Sequence, residues 1–105
     1  MGEEVRICAP DDLASGTARR FDVAGHQIAL IRIGDDFYAL GDRCTHGNVS
    51  LSEGTVDSES RTIECWKHGS SFSLVTGEPQ TLPATQPEPV YDVLIREGDV
   101  MLVVP

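Results

Sequence analysis

Long apolar runs are missing from this chain, and no stretch approaches the ~20 residues of a membrane-spanning helix. Its start, Met1-Gly2-Glu3-Glu4, is acidic and has no apolar stretch behind it. Arg6 stands where a myristoylation pattern needs Ser or Thr. The expectation is a chain with neither targeting segment nor membrane attachment. Basic residues are also scarce. Eight Lys and Arg against 17 Asp and Glu leave a formal net charge of −9. Nucleic-acid binding needs cations to neutralise phosphates, so that class is excluded; a basic protein surface is the better counterpart. Cysteine is few and odd in number, at three. That count builds no disulfide framework and fits a reducing cytoplasm. No Gly-x-Gly-x-x-Gly follows a strand pattern, which removes the dinucleotide-binding fingerprint of a reductase.

What the chain does have is concentrated between residues 44 and 68. Cys44-Thr45-His46 opens the stretch, 18 residues (47 to 64) follow, and Cys65-Trp66-Lys67-His68 closes it. Two of the three cysteines and two of the three histidines therefore form two matched pairs, Cys-x-His and Cys-x-x-His. Two thiolates and two imidazoles are a ligand set for zinc or for an iron–sulfur cluster. Structural zinc sites more often pair Cys-x₂-Cys with His-x₃-His, which these spacings do not match. Cys8 stands apart and reads as a small buried side chain.

Cys44-Thr45-His46-Gly47 and Cys65-Trp66-Lys67-His68-Gly69 resemble the two cluster loops of the Rieske [2Fe–2S] family, in which two histidines replace two cysteines on one iron. Leu51-Ser52-Glu53-Gly54, and Phe72-Ser73-Leu74 before Thr76-Gly77, resemble the small ferredoxins of that family. The resemblance covers about Val5 to Val104 and is most specific over 44 to 83. It implies that Cys44 and Cys65 hold the inner iron and that His46 and His68 hold the outer one near the surface. Gly47, Gly69, Ser70, Trp66 and Lys67 would surround the cluster, and Pro83 would lie on a proline-bearing loop that covers it. Trp66 is expected to pack beside its loop, because tryptophan mostly buries area.

The resemblance also bears on the potential. High-potential members link their loops through two further cysteines, where this chain has Val49 and Lys67. They also donate a serine and a tyrosine hydroxyl to the cluster. Ser70 stands in the serine place, but Phe72 stands in the tyrosine place. Hydrogen bonds to the sulfurs raise the potential, so a missing donor predicts a low one. Coupling of that potential to histidine deprotonation is then expected only at alkaline pH.

Short apolar alternations broken by turn signals predict an all-β fold. Glu3 to Ala9 reads as a strand, with Pro10-Asp11-Asp12 a helical turn after it. Thr17 to Ala24 and Gln27 to Ile33 read as a hairpin turning at Gly25-His26, which makes His26 a solvated turn residue. Phe37 to Leu40, Thr55-Val56, Thr62 to Glu64, Ser71 to Leu74, Val90 to Ile95 and Val100 to Val104 follow as strands, with a turn at 76–79. Residues 81–89 carry three prolines and read as extended loop. The predicted architecture is a Rieske-like antiparallel β sandwich or barrel, one domain over 1–105. Its basal part would be about 1–42 and 80–105, with a small cluster-binding lobe inserted at about 43–79.

The function the resemblance implies is one-electron carriage, from a flavin-dependent reductase to a terminal non-haem iron oxygenase. An oxygenase centre of its own would need two more histidines and a carboxylate, and only His26 remains. The chain is therefore expected to carry electrons as a monomer without catalysing substrate chemistry. The alternative is an accessory Rieske protein linked to iron–sulfur assembly, or a non-catalytic subunit of another redox complex. Genes for an oxygenase and a reductase beside it would separate the two.

Overall fold

The computed structural model describes residues 3–43, 49–66, 69–80 and 86–104. Among the described residues, nine antiparallel strands form two sheets. The larger sheet contains β1 (Glu3–Cys8), β2 (Thr17–Val23), β3 (His26–Ile33), β4 (Asp36–Gly41), β8 (Val90–Arg96) and β9 (Asp99–Val104). Their spatial order is β1-β9-β8-β4-β3-β2. Between β4 and β8 in the chain lie β5 (Thr55–Asp57), β6 (Thr62–Glu64) and β7 (Ser71–Ser73), which form the smaller sheet in the order β5-β6-β7.

β3 explains the layering. Its run Ile28-Ala29-Leu30-Ile31 is apolar without alternation, and all four residues are buried. A strand reads that way when both of its faces are covered. Ile28 and Leu30 face one core with Cys8, Val23, Ala39, Val100 and Leu102. These residues come from both ends of the larger sheet, which therefore curls around them. Ala29 and Ile31 face the other core with Leu40, Leu51, Ile63, Phe72 and Leu74, so the smaller sheet packs onto β3 and β4 from outside. β4 and β8 join at only two residue pairs, Ala39 with Tyr91 and Leu40 with Val90. On one side the pairing continues through Gly41 N–H, which donates to Pro89 O at 2.8 Å, and on the other the ladder stops at Ala39, which lets the sheet curl.

Local details follow the sequence with two adjustments. The β2–β3 hairpin turns through Ala24 and Gly25, both at positive φ (49° and 82°), as a type I′ turn requires. His26 is therefore not a turn residue. It starts β3 opposite Val23 and meets the Tyr91 ring edge-on at 5.6 Å. The turn after β7 runs through 74–76, and Pro79 already bridges back to Phe72. Cys8 is buried, as expected. A register shift between Arg6 and Cys8 turns its side chain inward beside Val5 and Ile7. Burial first, then the Asp12 charge, pushes its thiol pKa up, which keeps it out of the reactive thiolate form.

One side chain ties the two sheets together. Arg61 Nη1, at the turn between β5 and β6, donates to Asp36 Oδ2 at 3.0 Å and to the Tyr38 hydroxyl at 2.9 Å. Among the described residues no helix is long and apolar enough to cross a membrane.

Candidate metal centre

Of the residues singled out in the sequence, Cys65, Trp66, Gly69 and Ser70 are described. Cys44, His46, Gly47, Lys67, His68 and Pro83 lie outside the described residues, as do Met1 and Gly2. The site is therefore built from its walls.

The second loop, 65–70, connects β6 to β7. Inward and outward positions alternate along β6 and past its end: Ile63 in, Glu64 out, Cys65 in, Trp66 out. Cys65 is fully buried, in the core it shares with Leu51, Ile63, Phe72 and Leu74. Trp66 takes the outward place and is 56% exposed. The expected packing of its ring is thus corrected: strand period, rather than hydrophobicity, sets its direction. The loop closes on its own backbone. Cys65 N–H donates to Ser70 O at 2.7 Å, and Gly69 N–H donates to Cys65 O at 2.9 Å. Gly69 sits at φ +73°, where an L side chain is strained. Ser70 follows it, fully buried.

The first loop leaves β4 and returns at Ser50. An isolated bridge between Arg43 and Ser50 pairs its two ends. Beneath that bridge Leu51 N–H donates to Asp42 O at 2.5 Å. The buried Asp42 carboxylate accepts from Ser50 Oγ at 2.5 Å and from Ser52 N–H at 3.0 Å. Sequence reasoning missed this group. Asp42, Ser50 and Ser52 look like ordinary loop residues, and nothing along the chain shows that the acid is buried.

The two loops are neighbours by register. Thr55 pairs with Glu64, so Gly54, at the end of the first loop's short 3₁₀ turn, stands against the start of the second. A Cβ on Gly54 would lie 1.9 Å from Glu64 O. The proline-rich return segment is pinned at both flanks. Gln80 N–H donates to Ser71 O at 2.6 Å, and Glu88 N–H donates to Gly77 O at 2.8 Å.

This arrangement fits a cluster held between two loops. The fully buried Cys65 thiol stands where the loops meet, and the sequence carries one more cysteine and two histidines on the same two segments, a set whose chemistry suits an iron–sulfur cluster. Residues 3–96 match the Rieske [2Fe-2S] domain. The chain belongs to this family. Among curated relatives, the Rieske chain is 45% identical over 97 residues to ferredoxin CarAc of Metapseudomonas resinovorans, covering 91% of this chain and 89% of that protein. It is 43% identical over 101 residues to the 3-phenylpropionate/cinnamic acid dioxygenase ferredoxin subunit of Escherichia coli K12, covering 96% and 93%. Among solved structures, the ferredoxin of carbazole 1,9a-dioxygenase from Nocardioides aromaticivorans IC177 superposes with a TM-score of 0.92 at 36% identity, over 97% of both chains. A chain from a complex of reduced oxygenase and oxidised ferredoxin in carbazole 1,9a-dioxygenase superposes with a TM-score of 0.87 at 44% identity, over 95% of this chain and 92% of that one. The Rieske chain is an all-β electron carrier with a Rieske-type [2Fe–2S] cluster, a ferredoxin rather than an enzyme.

Proposed function

We propose that this ferredoxin serves a multicomponent oxygenase system, accepting one electron at a time from a flavin-dependent reductase and delivering it to a terminal non-haem iron oxygenase. The observation that carries this reading is the near full-length similarity to ferredoxins named as dioxygenase components, one of them in a complex with its oxygenase. Cys44 and Cys65 would hold one iron of the cluster, and His46 and His68 the other. The lobe at about 43–79 binds the cluster, and about 1–42 with 80–105 forms the base. When bound, the cluster supplies one reversible single-electron step. The chain's own residues do the rest. Leu51, Phe72 and Leu74 exclude water on the Cys65 side. Trp66, exposed beside that thiol, belongs to the face that both partners use, so reductase and oxygenase bind in turn. Gly47, Gly69, Ser70 and Lys67 line the cluster, and the segment carrying Pro83 covers it. The protein works as a monomer in a reducing cytoplasm, which three cysteines, two of them assigned to the cluster, support because they leave none to pair in a disulfide framework.

The test is direct mixing. Dithionite-reduced ferredoxin, freed of excess reductant, is mixed with the oxidised terminal oxygenase of carbazole 1,9a-dioxygenase and with the oxygenase encoded nearest to this chain. Second-order reoxidation, slower at higher salt where the partner's docking face is basic, supports the reading. Absence of transfer to both contradicts it. The potential supplies a second check. Phe72 is fully buried and carries no hydroxyl, so the midpoint should fall at the low end of the range of roughly −150 to +300 mV for Rieske centres. A redox titration returning a value well above zero would contradict that expectation.

A further inference from the structure

The two ligand loops are held by different means. The 65–70 loop joins two paired strands, and main-chain hydrogen bonds close it. The 43–50 segment leaves β4 for a 3₁₀ turn, with one isolated bridge across its ends. A side chain completes its closure. Asp42, 2% exposed, lies two residues before Cys44. Its Oδ2 accepts the Ser50 hydroxyl and its Oδ1 accepts the Ser52 N–H. Its own N–H donates to Gln27 O at 3.0 Å, which anchors it to β3. Arg20 Nε stands 3.8 Å from Oδ2. A buried carboxylate is costly unless such donors satisfy it, and here they bind it to both sides of the loop's return.

We infer that Asp42 is a positioning residue for the iron site: by binding Ser50 and Ser52 it sets the span of the segment that carries Cys44 and His46, and so the placement of those two ligands. The inference rests on the reading of Cys44 and His46 as ligands. Groups that orient ligands from outside commonly change metal retention when altered.

The experiment uses the loaded protein. Asp42→Asn keeps the side-chain size and the acceptor for Ser52 N–H but removes the charge facing Arg20, and its amide nitrogen can only donate to Ser50 Oγ, which reverses that bond and turns the Ser50 proton toward Ser52 Oγ, 2.7 Å away. Ser50→Ala removes the Asp42–Ser50 bond altogether and leaves the carboxylate. Asp57→Asn removes one carboxylate charge at the turn after β5, at the far end of the hairpin from Cys65. Cluster loss in the presence of a chelator is followed by visible absorption, and the reduced state by EPR. Asp42→Asn is expected to lose its cluster about tenfold faster than wild type, with shifted or broadened g-values. Ser50→Ala should move both readouts the same way by less, and Asp57→Asn should match wild type. Wild-type lifetimes and line shapes in both Asp42→Asn and Ser50→Ala would overturn the inference. So would a lowered melting temperature with unchanged EPR, since that reports a purely structural role. If Asp42→Asn fails to fold, Ser50→Ala decides. A wild-type sample without a Rieske-type signal would instead overturn the ligand reading itself.

Discussion

Cys65→Ser yields a colourless protein that retains its β-sheet signature. The substitution is nearly isosteric. The main-chain bonds of Cys65 with Ser70 and Gly69 do not involve the sulfur and persist. A serine hydroxyl does not ionise near neutral pH and is a poor replacement for a thiolate ligand. Two effects are superposed, loss of a ligand and burial of a hydroxyl among Leu51, Ile63, Phe72 and Leu74, and the second costs about 1–3 kcal/mol by itself. Cys8→Ser separates them. Cys8 is buried in the opposite core beside Val5 and Ile7, so the same chemical change there carries a similar packing cost. It should leave the iron content and colour at wild-type levels. Iron analysis and thermal melts on both variants check the pair. Equal iron loss in the two would reduce the role of Cys65 to packing.

Gly54→Ala gives a large stability loss for a single added methyl group. Gly54 has an ordinary extended backbone (φ −79°, ψ −176°), so conformational freedom is not what requires glycine there. Space is. An added Cβ would meet Glu64 O at 1.9 Å and Leu51 O at 3.1 Å, both backbone atoms with no rotamer to change. Relief means parting β5 from β6 at the Thr55–Glu64 pair, next to Cys65. Overpacking of this kind costs about 3 kcal/mol, a sizeable share of the ~5–15 kcal/mol that holds a domain together. The melting temperature should fall by roughly 15 °C, and iron content should fall with it because the displaced strand carries Cys65. A variant that melts with the wild type and keeps its iron would show that the two loops do not meet as described.

Much of this architecture was legible along the chain because it is local. The β2–β3 hairpin follows from a turn signal between alternating runs, although the turn falls at Ala24-Gly25, one residue before the expected Gly25-His26. The strands expected over Gln27 to Ile33, Thr55-Val56 and Thr62 to Glu64 are found as β3, β5 and β6, and the pairing of β5 with β6 brings the ends of the two loops together. The paired Cys-x-His and Cys-x-x-His spacings pointed to the family before any fold was known. What escaped depends on partners distant in sequence or on strand phase. The Asp42 carboxylate acquires meaning only when Ser50 and Ser52 fold back onto it. The short β4–β8 ladder joins residues about fifty apart. Trp66 was misjudged because its hydrophobicity argued for burial while the alternation inherited from β6 had already given the inward place to Cys65.

The central claim is that Cys44, His46, Cys65 and His68 together hold a Rieske cluster. It is tested most directly by EPR of the dithionite-reduced protein, with iron and zinc analysis on the same sample. The account predicts about two iron atoms per chain, an oxidised state without signal and a rhombic reduced signal of the histidine-ligated type. One zinc per chain and no signal, persisting after anaerobic reconstitution with iron and sulfide, would contradict it.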